Sequence, residues 1–578
     1  MGYYLKLLSA ALLFFLLNFS ALHPQATKAL RIINKEYDAS IDISSVESKV
    51  SGYGYANTDS VITALREVLA DNGFLKASID SISEQDDTLK IYIVSGNEHF
   101  FRVYDHNLPK GFHAQRGVAA IPDEKPVSFK YLSQFEKQII EYFENTGYPM
   151  ASVNRKNISF DKDTISFEWQ VIKGELYLVE EVRISGDVNM QPGFIRGLTR
   201  LQTNMPYSEE RIKRAARRFY ELEFANLASE PGVIFTPSGA RIEFPLERLK
   251  ANRFDGIAGV TSVPGIDNES DYRISGQLNL YLLNSLGYGE FIDMQWRAPG
   301  EGSQQLRLAT SFPYILGTPV AAGYDFSMNK QDSTFLLVRH RPEIRFQGYR
   351  LFSFSTFAII ETNNVFLSQT TENLSNTSLA DYRKTLYGLE IKLRSGLTNH
   401  TYNAGWLVRT SIATGNRIID NSTAISGVSD KTVQYVSEST IRHHIPWGRQ
   451  SMFTYSIIAN LQTGTTFLEN ELYRIGGFYS LKGFDENSLL GSSYSIITTE
   501  YRFYMAQETF FSLLANFAWL ENKSPAGYYN NFPLGLAAGL HFRTQPGILS
   551  VYYALGKTPK QVFQFRNALI HVGFISVF

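Results

Sequence analysis

Two rhythms of apolar and polar positions divide the chain near Leu249. Before that point some stretches repeat apolar residues at helical spacing and others alternate them, so strands mix with amphipathic helices. Beyond it alternation dominates, and no convincing helix is predicted through to the last residue. Within the first part a pattern recurs. SVITALREVLADNGFLKASI (60–79) and QFEKQIIEYFENTGYPMASV (134–153) each read as an amphipathic helix, then Asn-Gly or Thr-Gly, an aromatic, and Ala-Ser before a β-branched residue. Gly73 and Gly147 sit where a helix C-cap needs a positive φ. Strand-like runs follow at 87–96 and 163–174. In the second, Ile165, Phe167, Trp169 and Val171 oppose Ser166, Glu168 and Gln170. A more degenerate third copy has an opening strand at 178–184, a helix over 208–224 and a closing strand at 239–249. Three tandem small α/β units at 27–96, 97–175 and 176–250 are expected, with one larger α+β domain as the alternative.

The region 251–578 divides into about sixteen strand-like segments whose connections alternate in length, as transmembrane barrels require. The short ones include 316–319, 445–450, 505–508 and 544–547. The long ones include 362–381, 418–431, 462–492, 521–531 and 556–567. Charges keep to one face. Tyr387, Leu389, Ile391 and Leu393 oppose Glu390, Lys392 and Arg394; Leu534, Leu536, Ala538, Leu540 and Phe542 oppose Gly535, Ala537, Gly539, His541 and Arg543; Ile292, Met294 and Trp296 oppose Asp293, Gln295 and Arg297. A charge facing lipid at mid-depth costs about 2–4 kcal/mol, so this sorting predicts a polar lumen inside a 16-stranded antiparallel transmembrane β-barrel. The chain ends on a strand in which Ile570, Val572, Phe574 and Phe578 share a face.

Composition sharpens this picture. Tyr (33) and Phe (41) are abundant, which suits half-buried strands, and there is no Cys, which excludes disulfides and thiolate metal sites. A formal net charge of -1 without a long basic run argues against nucleic acid as a partner. The strongest apolar run, Leu7 to Leu17 behind Lys6, ends in small residues near Ala26 and reads as a signal peptide over 1–26; it is short for an uncleaved anchor. No Gly-x-Ser-x-Gly elbow and no His-Glu-x-x-His occurs, and His443 and His444, adjacent on a strand, face opposite sides. No enzyme, metal or cofactor is expected.

The order of leader, three α/β repeats, sixteen strands and terminal Phe resembles the BamA/TamA superfamily, whose repeats are polypeptide-transport-associated (POTRA) domains. The most specific stretch is RIGGFYSLKGF (474–484), similar to that family's Gly-Gly element followed by Val/Leu-Arg-Gly-Phe/Tyr between strands eleven and twelve. NRFDGIAGV (252–260) resembles the family's first barrel strand, and GLHFRTQPGILSVYYALG (539–556) its late hairpin. The resemblance implies a loop folded inside the barrel, whose Arg pairs with an acid on strand twelve and another on strand thirteen. The matching positions here are Lys482, Glu500 and Asn516, beside Gly477, Leu481, Gly483 and Phe484. A Lys lacks the bidentate fork of Arg, so the lock is expected to be weaker or built differently, with a Lys482–Glu500 contact as its remaining possibility.

The resemblance also implies a function: assembly or translocation of unfolded outer-membrane or secreted client polypeptides, without nucleotide or metal. Its setting would be outer-membrane lipid, with accessory periplasmic or lipoprotein partners. Clients would add strands to exposed sheet edges, and Gly573 and Ser576 would weaken the join between last and first strands. A two-partner-secretion-type pore for one dedicated partner is the alternative.

Overall fold

Each predicted N-terminal helix buries a stripe against a small sheet. The computed structural model describes residues 29–577, apart from 36–46, 48–57, 86–87, 110–111, 113–126, 265–269, 301, 333, 348–351, 367–378, 396–404, 421–427, 465, 479, 507–508, 545–546 and 560–562. The expected leader and Phe578 lie outside these residues. On helix Thr58–Asp71, Val61, Ala64, Leu65, Val68 and Leu69 pack on Ile32, Leu89, Ile91 and Ile93. The sheet beneath runs Ala29–Asn34, Thr88–Val94, Ser78–Gln85, with its first pair parallel and its second antiparallel. Helix Phe129–Glu144 repeats the scheme. Ser128 caps it, its hydroxyl accepting from the Tyr131 amide at 3.4 Å, and Leu132, Phe135, Ile139 and Phe143 pack over Phe101, Phe167, Trp169 and Val171. Strand Phe100–His106 again runs parallel to Thr164–Ile172, which pairs antiparallel with Ser152–Asp161. Gly73 (φ 90°) and Gly147 (φ 103°) take the left-handed conformations expected after the helices.

A second compact unit holds a third such sheet together with the barrel. Val179–Gly186 runs parallel to Gly239–Arg248, which pairs antiparallel with Gly232–Thr236 and Ala225–Leu227. Helix Glu209–Phe219 covers the sheet, with Phe219 packed on Phe244 at 4.9 Å between ring centroids. That helix stops at Phe219, short of the predicted Phe224, because the chain turns into the strand at Ala225. An eight-residue helix, Pro192–Thr199, was not predicted; two glycines and a proline in so short a run leave no readable period.

The remainder is a closed antiparallel barrel. Gly527–Asn531 and Leu534–Arg543 both pair with Thr509–Ser524, so together they occupy one strand position and the barrel has sixteen. The burial pattern is inverted relative to a soluble protein: Tyr387 (68% exposed), Leu389 and Ile391 face outward, while Glu390 (3%) and Lys384 face inward. Glu343, Glu361 and Arg417 are buried as well, paired with lumenal partners. An apolar outside and a hydrogen-bonded ionic inside is the arrangement hydrocarbon imposes.

Two expectations about connections need correction. The segment 521–531 is not a loop: strands Thr509–Ser524 and Gly527–Asn531 continue as a hairpin, with Leu520 and Glu521 paired to Asn531 and Asn530. Alternation of long and short also fails early, since Gly300 pairs with Ser303 and strand Val320–Gln331 turns at once into Phe335–Gln347. Both turns lie on the side where long loops were expected.

Candidate functional site

The site is built from the connection between the eleventh strand (Ser451–Thr463) and the twelfth (Ser493–Ala506). It folds into the lumen as a short hairpin, Tyr473–Ile475 against Leu489–Gly491. Apolar residues seat it: Ile475, Leu481 and Phe484 form one buried cluster with Ile496, Ala518 and Leu520 of the wall.

The loop is pinned at its base by charge. The Glu471 carboxylate accepts from Arg417 (2.6 Å) and Gln434 (3.1 Å), lies 3.3 Å from Lys384 Nζ, and accepts from the Leu468 amide (3.0 Å). Asn470 donates to Asn363 Oδ1 (2.6 Å) and to the Ala380 carbonyl (2.9 Å). Asn363, Lys384, Arg417 and Gln434 lie on four successive strands, so one dipeptide ties the loop to a quarter of the wall. The Arg417 side chain is 1% exposed. Removing its carboxylate would leave a buried cation, a penalty of roughly 3–5 kcal/mol.

The tip is seated by backbone contact. Gly535 and Gly556 are register partners on adjacent strands, and a Cβ on either would overlap the loop backbone, at the Lys482 carbonyl and the Gly483 carbonyl respectively. This pair of missing side chains makes a flat floor for Lys482 and Gly483. The Gly477 amide donates to the Leu481 carbonyl (3.1 Å), and the Gly483 amide faces His571 Nε2 at 3.5 Å.

The residues matched to the family lock come together only in part. Glu500 and Asn516 do face the lumen, on adjacent strands. Among the described residues, however, the Glu500 ion pair is with Arg502 (2.6 Å), two positions along the same face. Asn516 Oδ1 accepts from Thr498 (2.9 Å). Lys482 donates to the Phe478 carbonyl (3.0 Å) and lies 4.6 Å from the Tyr552 ring centroid. The Lys482–Glu500 contact therefore does not form as an ion pair. An ammonium on a flexible stem reaches a nearer carbonyl and ring, while the Arg502 guanidinium already holds Glu500. Glu471, Asn470, Gly535, Gly556 and Phe478 were missed in the sequence. The unusual Glu-Asn-Glu before the Gly-Gly element was the one available signal for the first two.

At the seam, the first strand (Arg253–Pro264) meets the last (Leu569–Val577) through two register pairs, Arg253 with Val577 and Phe254 with Ser576. The same first strand makes twelve with its other neighbour. Gly573 lies in the last strand beyond the pairing, and Phe574 lines a cavity there of about 240 Å³.

Helix Pro192–Thr199 rests on the turns at the end of the barrel where the first strand begins. Phe194 packs on Tyr314 (5.6 Å), Arg196 donates to the Leu316 carbonyl (3.0 Å), and the Gln191 amide to the Gly287 carbonyl (2.8 Å).

No protein-family model and no curated protein sequence matches the chain. Solved structures do. CdiB from Acinetobacter baumannii superposes with a TM-score of 0.52 at 11% identity, over 93% of this chain and 100% of that one. CdiB from Escherichia coli gives 0.52 at 11% identity, over 89% and 96%. This chain has the fold of these two CdiB structures. A BamA from Haemophilus ducreyi lacking POTRA domains 1–3 gives a TM-score of 0.48 at 15% identity, over 82% of this chain and 99% of that one. At these identities the likeness is one of fold.

Proposed function

We propose that this chain is an outer-membrane protein carrying three periplasmic POTRA domains (27–96, 97–175 and 176–250), and that it inserts or translocates client polypeptides at the seam of its barrel, without nucleotide or metal. The observation that carries this reading is the seam. From Asp255 onward the first strand has no backbone partner on its outer edge among the described residues. In hydrocarbon each unpaired N–H or C=O costs several kcal/mol. Such an edge is satisfied by a further strand, and an incoming client chain offers one. The client gains by burying apolar surface in lipid and closing its own sheet, so no other energy source is needed.

The chain has no Cys, which makes a clean test possible. Phe254→Cys with Ser576→Cys places thiols at a paired register position. With the full-length protein in liposomes, oxidation should abolish insertion of a urea-unfolded outer-membrane barrel and reduction should restore it. Insertion at the same rate through an oxidised seam would refute the proposal. Loss of one soluble exported protein from a deletion strain, with barrel proteins at normal levels, would reassign the chain as a dedicated secretion pore.

A further inference from the structure

With two register pairs, backbone hydrogen bonds alone hold little of the seam, yet the lumenal loop contacts the wall on either side of it, at the third strand and at the last. On one side, Glu486 Oε1 accepts from Arg297 of the third strand (2.9 Å). The other oxygen of that carboxylate accepts from the Phe478 amide (3.3 Å). On the other side, the Phe478 ring lies against Gly573 of the last strand, where a Cβ would come within 2.8 Å of it. The ring is edge-on to Tyr552 (5.7 Å) and His571 (6.4 Å). Between the two sides is the 240 Å³ cavity, with Gly256 and Arg297 on one flank, Gly573 and Phe574 on the other, and Phe478 and Glu486 closing it from within.

We propose that Phe478 and Glu486 form a staple that holds the seam closed from inside, in place of the missing backbone pairs. The proposal builds on the seam reading above. Gly573 serves this by leaving room for the ring. Moving the first and last strands apart requires Glu486 to leave Arg297 or Phe478 to leave Gly573, so a chain segment that displaces the loop tip in the lumen also lets the two strands separate. Phe478 and Glu486 are positioning residues, acting on strand separation.

The readout is the oxidation rate of the Phe254→Cys/Ser576→Cys pair in the full-length barrel, with folded protein selected by its heat-modifiable migration. Opposed residues in an antiparallel pair have Cα atoms about 4.5–5.5 Å apart, within disulfide reach. Adding Arg297→Glu or Phe478→Ala should slow oxidation roughly fivefold or more, the low end for coupling between distant elements. Adding Glu486→Arg to Arg297→Glu should restore it, and Phe478→Leu should retain most of it. Unchanged oxidation in folded Arg297→Glu and Phe478→Ala barrels would overturn the staple, as would failure of the charge reversal to rescue. A seam pair that resists oxidation with the native loop in place would also overturn it, since nothing would then be held closed. If the staple results hold but an oxidised seam still inserts clients, the staple stands and the proposed function falls.

Discussion

Single residues decide how the loop is held, and the charge that matters sits before the motif. Lys482 contributes one carbonyl hydrogen bond and ring contacts, worth about 0.5–2 kcal/mol. Glu471 neutralises a buried guanidinium. Glu471→Ala should therefore lower the temperature at which the barrel loses its heat-modifiable form far more than Lys482→Ala does, and equal shifts would place the anchor at the tip. Outside the membrane, Arg241 first, then Ser238 and Thr236, hold Glu180 well below the usual carboxylate range, at about 2. Because the folded value is depressed, this contribution is fully present above the ordinary value of 4.5 and fades as pH falls toward 2. Arg241→Ala should raise the Glu180 midpoint, as read from side-chain NMR shifts; an unmoved midpoint would show that Arg241 is not its cause. Lys482 and Glu500 were legible as lumenal residues, but their separation was not. It depends on Arg502 and Phe478 competing for them, which no local pattern encodes. The Arg297–Glu486 pair spans 189 residues of sequence and was equally invisible.

At the scale of elements, period decided what could be read. Strand Tyr382–Ser395 has lipid on one side and a charged lumen on the other, so its alternation was clear. The hairpin through 521–531 was misread because Asn522, Lys523, Asn530 and Asn531 look like loop residues; in the structure they belong to a strand pair. Helix Pro192–Thr199 escaped for want of length, yet it connects the third sheet to the barrel turns. Phe194, 3% exposed, is its anchor. Phe194→Ala should cost roughly 3–5 kcal/mol of local stability. Limited proteolysis should then cut faster within 187–205 while the barrel keeps its folded migration, and unchanged cleavage would show that the helix is held by other contacts.

For the whole molecule, fold class was readable because two environments of opposite polarity press on every strand, leaving a signal at each second residue. The site was less readable, since it consists of a connection meeting walls far away in sequence. Seam, loop and floor all take their meaning from the barrel having lipid outside and ionised groups within. The most direct test places single cysteines along 386–392, labels each with a fluorophore in the liposome-reconstituted protein, and measures quenching by brominated acyl chains. Strong quenching at 387, 389 and 391 with weak quenching at 388, 390 and 392 is the predicted result. Quenching without that two-residue alternation, or none at all, would contradict the account.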